Sequence, residues 1–157
     1  MTQVVANQRH GRAGFSLVDI LTGIALTATI SLVAVPNASE FLGEYQLISA
    51  ANQVGFEIAR ARMQAIGENM FVRIRMLDGG GYVREYSTDN VTYTQDGVAG
   101  ALPRGIAVTT GTNGPPTFNR SGIATTATTI TVNNEQGYKA VQTNILGRVT
   151  ISSPAPS

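Results

Sequence analysis

Apolar residues crowd into one long stretch near the start of the chain and then thin out into two different rhythms. From Phe15 to Val35 the sequence is almost continuously apolar or small. Further on, Leu47, Ala51, Val54, Ile58, Ala61 and Ala65 recur at alternating steps of four and three. That spacing is the buried stripe of an amphipathic helix. Glu40, Glu44, Glu57, Arg60, Arg62 and Glu68 fall mostly off the stripe, and Gly67 and Asn69 are stop signals. One helix is therefore predicted from near Phe15 to about Gly67, bent near Pro36. Its first half suits lipid and its second half packs on a globular domain.

The rest of the chain reads as strands. Met70 to Leu77 alternates, with Phe71, Arg73 and Arg75 on one face and Val72, Ile74 and Met76 on the other. Asp78 to Gly81 is a turn, and Tyr82 to Ser87 is the returning partner of a hairpin. Val91 to Thr94 and Ile106 to Thr110 are short strands, separated by a loop from Asp96 to Gly105; Gly111 to Pro116 is a further loop. Thr125 to Val132, Tyr138 to Thr143 and Arg148 to Ser152 form a final set of three, joined by turns at 133–137 and 144–147. The fold class is α+β.

The apolar stretch has chemistry of its own. Phe15 to Val35 is about the length needed to cross a ~30 Å hydrocarbon core at ~1.5 Å rise per residue. Ser16, Thr22, Gly23, Thr27, Thr29 and Ser31 interrupt it, and such residues favour close helix–helix packing in lipid. The preceding fourteen-residue leader carries Arg9, His10 and Arg12 and no acid, which places it in the cytoplasm and the bulk of the chain outside. A plain single-pass anchor fits these features. No small-x-small site closes the apolar run convincingly, because Pro36 follows Val35 directly, so cleavage is expected before the run rather than after it. Asp19 is the one acid inside the segment. A carboxylate there costs roughly 2.5–3.5 kcal/mol on insertion scales, so a partner is expected. Cutting after Gly14 would create that partner, a cationic α-amine on Phe15, in the same chain or a neighbouring one. The alternative is an acid that snorkels to the interface.

Gly14-Phe15-Ser16-Leu17-Val18-Asp19 resembles the cleavage and methylation motif of type IV pilins and type II secretion pseudopilins. The resemblance implies cleavage by prepilin peptidase between Gly14 and Phe15, then N-methylation of Phe15. It implies an assembly role for Asp19, where the family has glutamate, and a helix kink at Pro36. The implied division is a cleaved leader over 1–14, a transmembrane and assembly helix over 15–36, and a periplasmic domain over 37–157. The implied location is the bacterial inner membrane, single-pass, and then a filament.

Arg60-Ala61-Arg62-Met63-Gln64-Ala65-Ile66, Thr117-Phe118-Asn119-Arg120-Ser121-Gly122 and Gly147-Arg148-Val149-Thr150 resemble the H-type minor pseudopilins, the GspH/FimT group. This second resemblance implies a β-domain of two antiparallel sheets packed on the helix. It also implies a low-abundance subunit near the tip of a pseudopilus or pilus, with other pilins and pseudopilins, the peptidase and an inner-membrane assembly platform as partners.

Composition trims the alternatives. The 157-residue chain has no cysteine, and its one histidine, His10, lies in the leader. Thiolate chemistry, disulfides and histidine-based metal clusters are excluded. Ser121 lacks the Gly-x-Ser-x-Gly elbow, and Asp78-Gly79-Gly80-Gly81 lacks the Gly-Lys-Ser/Thr of a phosphate loop. No catalytic residue, metal site or cofactor is expected. Formal charge is +1; loss of Arg9 and Arg12 takes Lys+Arg from 11 to 9 against 10 acids, or about −1. That is not a broadly basic nucleic-acid binder. Arginine nevertheless dominates lysine, since Lys139 is the only one. Arg73, Arg75 and Arg148 form the candidate nucleic-acid contact, because some members of the resembled group bind DNA during uptake through Gly-Arg-x-Arg. Here Thr150 stands at the second arginine of that pattern. The competing reading is a solvated face paired with Glu57, Glu68 and Glu85. An assembly subunit and a DNA-uptake subunit thus remain as the two function classes.

Overall fold

The structure, a computed structural model, describes residues 16–153, without the side chains of 33–38. The chain divides after Ala38 into two units, Met1–Ala38 and Ser39–Ser157. Helix α1 (Leu17–Gly67) contributes to both and runs unbroken through position 36. The cleavage pair Gly14 and Phe15 lies outside the described residues.

In the first unit α1 has a reciprocal start. The Ser16 hydroxyl accepts from the Val18 amide at 3.3 Å, and the Asp19 carboxylate accepts from the Ser16 amide at 3.2 Å. This is a capping box with aspartate in the glutamate position, and it satisfies two amides that the helix itself leaves open. The hydroxyls inside the apolar stretch are satisfied in the same local way. Thr22 donates to the Val18 carbonyl, Thr27 to Gly23, Thr29 to Ala25 and Ser31 to Thr27. Side chains all around this part are apolar and exposed, Leu17 through Leu32. Among the described residues no helix is long and apolar enough to cross a membrane. The run expected to do so, Phe15 to Val35, has all but Phe15 of its backbone in that set, and its spanning role is not borne out by the described helix.

In the second unit α1 is amphipathic as predicted. Leu47, Ala51, Val54, Ile58, Ala61 and Ala65 are all buried, joined by Ala50. The many alanines let strands approach closely. Gly55 goes further, since a Cβ there would stand 3.3 Å from the Ile151 side chain. The helix ends on Asn69, whose φ of 54° is left-handed, while the Met70 amide donates to the Ala65 carbonyl at 3.2 Å. That is a Schellman-type stop with asparagine in place of the usual glycine.

The strands are β1 (Phe71–Leu77), β2 (Gly81–Ser87), β3 (Thr94–Ala101), β4 (Ala107–Thr110), β5 (Thr117–Phe118), β6 (Thr128–Asn134), β7 (Gly137–Thr143) and β8 (Val149–Ser152). Among the described residues they form two four-stranded antiparallel sheets, ordered β3-β2-β1-β5 and β4-β6-β7-β8. One core joins the helix stripe to Val72 and Ile74 of β1, Phe118 of β5, Ile130 and Val132 of β6 and Val141 of β7.

The strands differ from expectation mainly around β3 and β5. The expected strand at Val91 to Thr94 is irregular as far as Tyr93, and the expected loop after it is strand β3, which pairs with β2 across a register shift between Tyr82 and Arg84. Gly97, at φ 74°, supplies the left-handed residue that the bulge needs. The two-residue β5 falls between the expected loop at 111–116 and the expected strand from Thr125, where no element was assigned.

Candidate functional site

Asp19 is the first candidate residue, and its local role is now defined. It sits in the first turn of α1, where a negative charge also complements the helix dipole, and its carboxylate engages the Ser16 amide. One oxygen is thereby used by the helix's own start. The other makes no hydrogen bond or ion pair among the described residues.

Arg73 and Arg75 share the outer face of β1, and Glu85 lies opposite on β2, in register with Arg73. Arg73 Nε meets Glu85 Oε2 at 2.6 Å and Arg75 Nη2 meets Oε1 at 2.8 Å. The Arg73 guanidinium also stacks over the Tyr93 ring, 3.8 Å from its centroid. Glu85 is 6% exposed. Burial pushes its carboxyl up, but hydrogen bonds from Arg75 and Arg73 and their charges outweigh it and hold the group below its usual range. These two arginines are therefore structural partners of a buried acid. Arg148 is exposed and lies in the turn before β8, apart from that pair in the fold.

A second charged frame lies between helix and sheet. Arg84 of β2 reaches Glu57 of α1 at 3.5 Å and Asp96 of β3 at 3.0 Å. Gln64 of α1 donates to the same Asp96 oxygen at 2.9 Å. The Gln64 and Arg84 hydrogen bonds hold the Asp96 carboxyl below its usual range, against burial. Glu57 pairs with Arg60 as well, whereas Glu68 takes Gln64 rather than an arginine. The expected acid partners were thus right for Glu57 and Glu85 and wrong for Glu68. Asp89 closes the β2–β3 turn: the Ser87 hydroxyl and the Val91 and Thr92 amides hold its carboxyl down to about 2.

The feature that sequence reasoning missed gathers at the Gly67 end of α1. Two loops have the same five-residue plan, Asn119-Arg120-Ser121-Gly122-Ile123 and Asn144-Ile145-Leu146-Gly147-Arg148. In each, the asparagine amide donates to the carbonyl four residues on, and the glycine amide donates back to the asparagine carbonyl. In each, the asparagine side chain accepts the amide of the fifth residue, at 2.9 and 2.8 Å. The loops are tied together by the Ala124 amide on the Ile145 carbonyl. Arg62 of α1 enters between them and donates Nε to the Gly122 carbonyl at 2.9 Å. The repeated Asn-x-x-Gly was the available signal, but only its turn propensity was readable.

Among the described residues no group of three His, Cys, Asp or Glu side chains could hold a metal ion. The charged frames brace strands and helix rather than surround a reacting atom.

A family model described as type II transport protein GspH matches residues 50–147. Among similar solved structures is the minor pseudopilin EpsH from the type 2 secretion system of Vibrio cholerae, at 13% identity and a TM-score of 0.58, covering 71% of this chain and 99% of that one. Another is the type IV minor pilin FimU of Pseudomonas aeruginosa strain PAO1, at 18% identity and a TM-score of 0.60, covering 74% of this chain and 96% of that one. At such identities the likeness is one of fold. No curated protein matches the chain significantly. Pseudopilins and pilins are structural, non-enzymatic subunits, in keeping with the bracing role of the charged groups. The family match, on a two-sheet domain built around its helix, leads to one conclusion: this chain belongs to the type II transport protein GspH family.

Proposed function

We propose that the chain is made as a precursor, cut by prepilin peptidase between Gly14 and Phe15, N-methylated on Phe15, and held as a single-pass inner-membrane protein until it joins a filament. It then serves at or near the tip of a type II secretion pseudopilus or type IV pilus, supporting secretion or pilus initiation. The observation that carries this reading is the start of α1. The capped helix begins directly after the Gly14–Phe15 pair, with Asp19 in its first turn. A new amine at Phe15 would lie within about a turn of that carboxylate, and a cation is the partner a carboxylate in lipid calls for. In a neighbouring helix the same amine would dock one subunit on the next. The internally bonded threonine and serine hydroxyls support residence in lipid, since they present no unsatisfied donor there. Pro36 would supply the bend where the apolar half gives way to the amphipathic half.

Mass spectrometry of the protein from its native membrane tests the reading. The expected mature chain starts at Phe15. A chain in active filaments that retains Met1 to Gly14, or one that starts near Pro36, overturns it.

DNA uptake is the second reading. The exposed Arg148 favours it, while Arg73 and Arg75 are engaged by Glu85. A gel-shift assay with a salt titration separates the two, because phosphate contacts weaken steeply with salt.

A further inference from the structure

Charge brackets the apolar segment of the chain. Asp19 is the last charged residue before it and Glu40 the first after it, and the twenty residues from Ile20 to Ser39 carry none. At ~1.5 Å per residue they make a helix of about 30 Å, the thickness of a hydrocarbon layer. On the single-pass reading above, on which this inference rests, ionised groups are least costly at the two boundaries of that layer. The layer therefore runs from Ile20 to Ser39 rather than from Phe15 to Val35, and its outer boundary falls just before Glu40.

The folded unit begins at that boundary. Phe41, Leu42 and Tyr45 are 73%, 61% and 70% exposed. The turn between β6 and β7 lies at the same level of α1: the Asn134 side chain donates to the Gly43 carbonyl, and the Gln136 side chain fills the space beside Gly43. Tyr138, just past that turn, is 45% exposed and lines an open groove with Glu40 and Glu44. Gly43 stands about 6 Å beyond Ser39 along the helix at ~1.5 Å per residue. The headgroup layer on each side of a bilayer is about 5–7 Å deep. The base of the domain thus has no stalk to lift it clear of the headgroups.

We propose that Phe41, Leu42, Tyr45 and Tyr138 form a belt that seats the unassembled domain in the headgroup layer of its own membrane, so that the bilayer surface is the partner of this face. Proximity comes from the chain, because Phe41 is two residues from the boundary whatever direction the domain takes. Chemistry comes from the rings, since an apolar body with a polar edge suits that layer, and two of the four side chains are tyrosines. Charge selects the lipid. Glu40, Glu44 and Glu135 line the groove beside Tyr138, and Lys139, the one cation among its lining residues, donates to Ser153. Anionic headgroups are repelled there, so the seat suits a zwitterionic surface. Lipid holds the subunit at one depth through this belt, and entry into a filament lifts the belt out.

The chain has no tryptophan, so single replacements report depth in the full-length protein. Ile24→Trp, Tyr45→Trp, Tyr138→Trp and Val98→Trp are each placed in phosphatidylcholine vesicles whose acyl chains carry bromine near the headgroup end. Val98, 95% exposed on β3, is the reference for water. Tyr45→Trp and Tyr138→Trp should lose emission to bromine, as Ile24→Trp does, while Val98→Trp should not. Phe41→Ser with Leu42→Ser should free the Tyr138→Trp emission from bromine and leave that of Ile24→Trp quenched. Replacing part of the phosphatidylcholine with phosphatidylglycerol should weaken the Tyr138→Trp quenching, and salt should restore it. Unquenched Tyr45→Trp and Tyr138→Trp beside quenched Ile24→Trp would end this proposal and leave the single-pass reading standing. A blue shift at Tyr45→Trp without bromine quenching would mean that a second copy covers the belt, and would end it too. Equal quenching of Val98→Trp, or stronger quenching with phosphatidylglycerol, would overturn the seat as described. Unquenched Ile24→Trp would overturn the single-pass reading, and the seat with it.

Discussion

Arg62 and Gly122 are sixty residues apart in sequence, yet a 2.9 Å hydrogen bond from Nε to the carbonyl oxygen fixes the end of α1 to the loop after β5. Gly147, from the loop before β8, closes the other side. A Cβ on Gly147 would stand 2.6 Å from Arg62 Nε and 2.8 Å from the Gly122 oxygen. One arginine thus holds three chain segments that sequence separates widely.

The first prediction compares two glycines with the same backbone. Gly147 and Gly97 both have φ of 74°, but nothing lies within 4 Å of a Cβ built on Gly97. Gly97→Ala should cost only the left-handed strain, about 1–2 kcal/mol. Gly147→Ala should cost that plus a clash of roughly 1–3 kcal/mol. Chemical denaturation of both variants measures the difference; equal midpoints would mean that the Arg62 clamp is loose.

A second prediction concerns acid. Glu85 is held below its usual range in the folded state, so it binds a proton less readily than in the unfolded chain. Its stabilisation is therefore full above its unfolded value, near 4.5, and is lost as pH falls through the lower folded value. Glu85→Gln should destabilise the domain at neutral pH by about 1–3 kcal/mol, because two arginines lose their acid. It should also flatten, without abolishing, the fall in stability below about pH 4.5, since Asp89 and Asp96 are shifted the same way. Denaturant midpoints from pH 7 down to pH 3 would show both effects. An unchanged acid limb would remove Glu85 from the account.

The third concerns two hydroxyls in the core. Thr128 and Thr143 face each other across β6 and β7, both buried, and neither Oγ1 has a hydrogen-bond partner among the described residues. Thr128→Val with Thr143→Val keeps shape and β-branching and removes both polar groups together. Such paired replacement is near neutral or stabilising. The double variant should melt at or above the parent temperature, and a clear drop would mean that the hydroxyls are satisfied in solution.

The fourth separates two roles of Asp19. Asp19→Asn keeps an acceptor for the Ser16 amide but removes the charge. Asp19→Ala removes both, and Asp19→Glu restores the usual length of the acid. If the charge docks on a Phe15 amine, both Asn and Ala lower recovery in filaments while cleavage at Gly14 persists, and Glu is tolerated. Recovery at parental level with Asp19→Asn would leave Asp19 a helix cap alone.

Much of this was readable before any coordinates. The stripe from Leu47 to Ala65 is unbroken, so periodicity placed the helix and its buried face. The hairpin of β1 and β2 followed from Asp78 to Gly81, and with it the outer face of Arg73 and Arg75. Strand β3 was not readable, because Asp96, Gly97 and Gly100 have low strand propensity and only pairing with β2 holds them extended. The Arg62 clamp was beyond reach for another reason. It depends on the meeting of two loops whose likeness is a turn pattern, and nothing local ties either loop to a helix sixty or more residues earlier.

The turn between β6 and β7 grips α1 low in the domain. Asn134 donates Nδ2 to the Gly43 carbonyl at 2.8 Å, and the Gln136 side chain occupies the space that a Cβ on Gly43 would need. A pull applied to α1 from its N-terminal side would meet the domain first at this grip. Behind it come the Gln53 bonds to Tyr82 and Ala101, the Arg84–Glu57 pair and the Arg62 clamp. These attachments follow one another along the helix axis, so axial tension loads them side by side in shear. A sideways force would peel them one at a time. The domain is therefore built to bear traction along its helix far better than leverage across it.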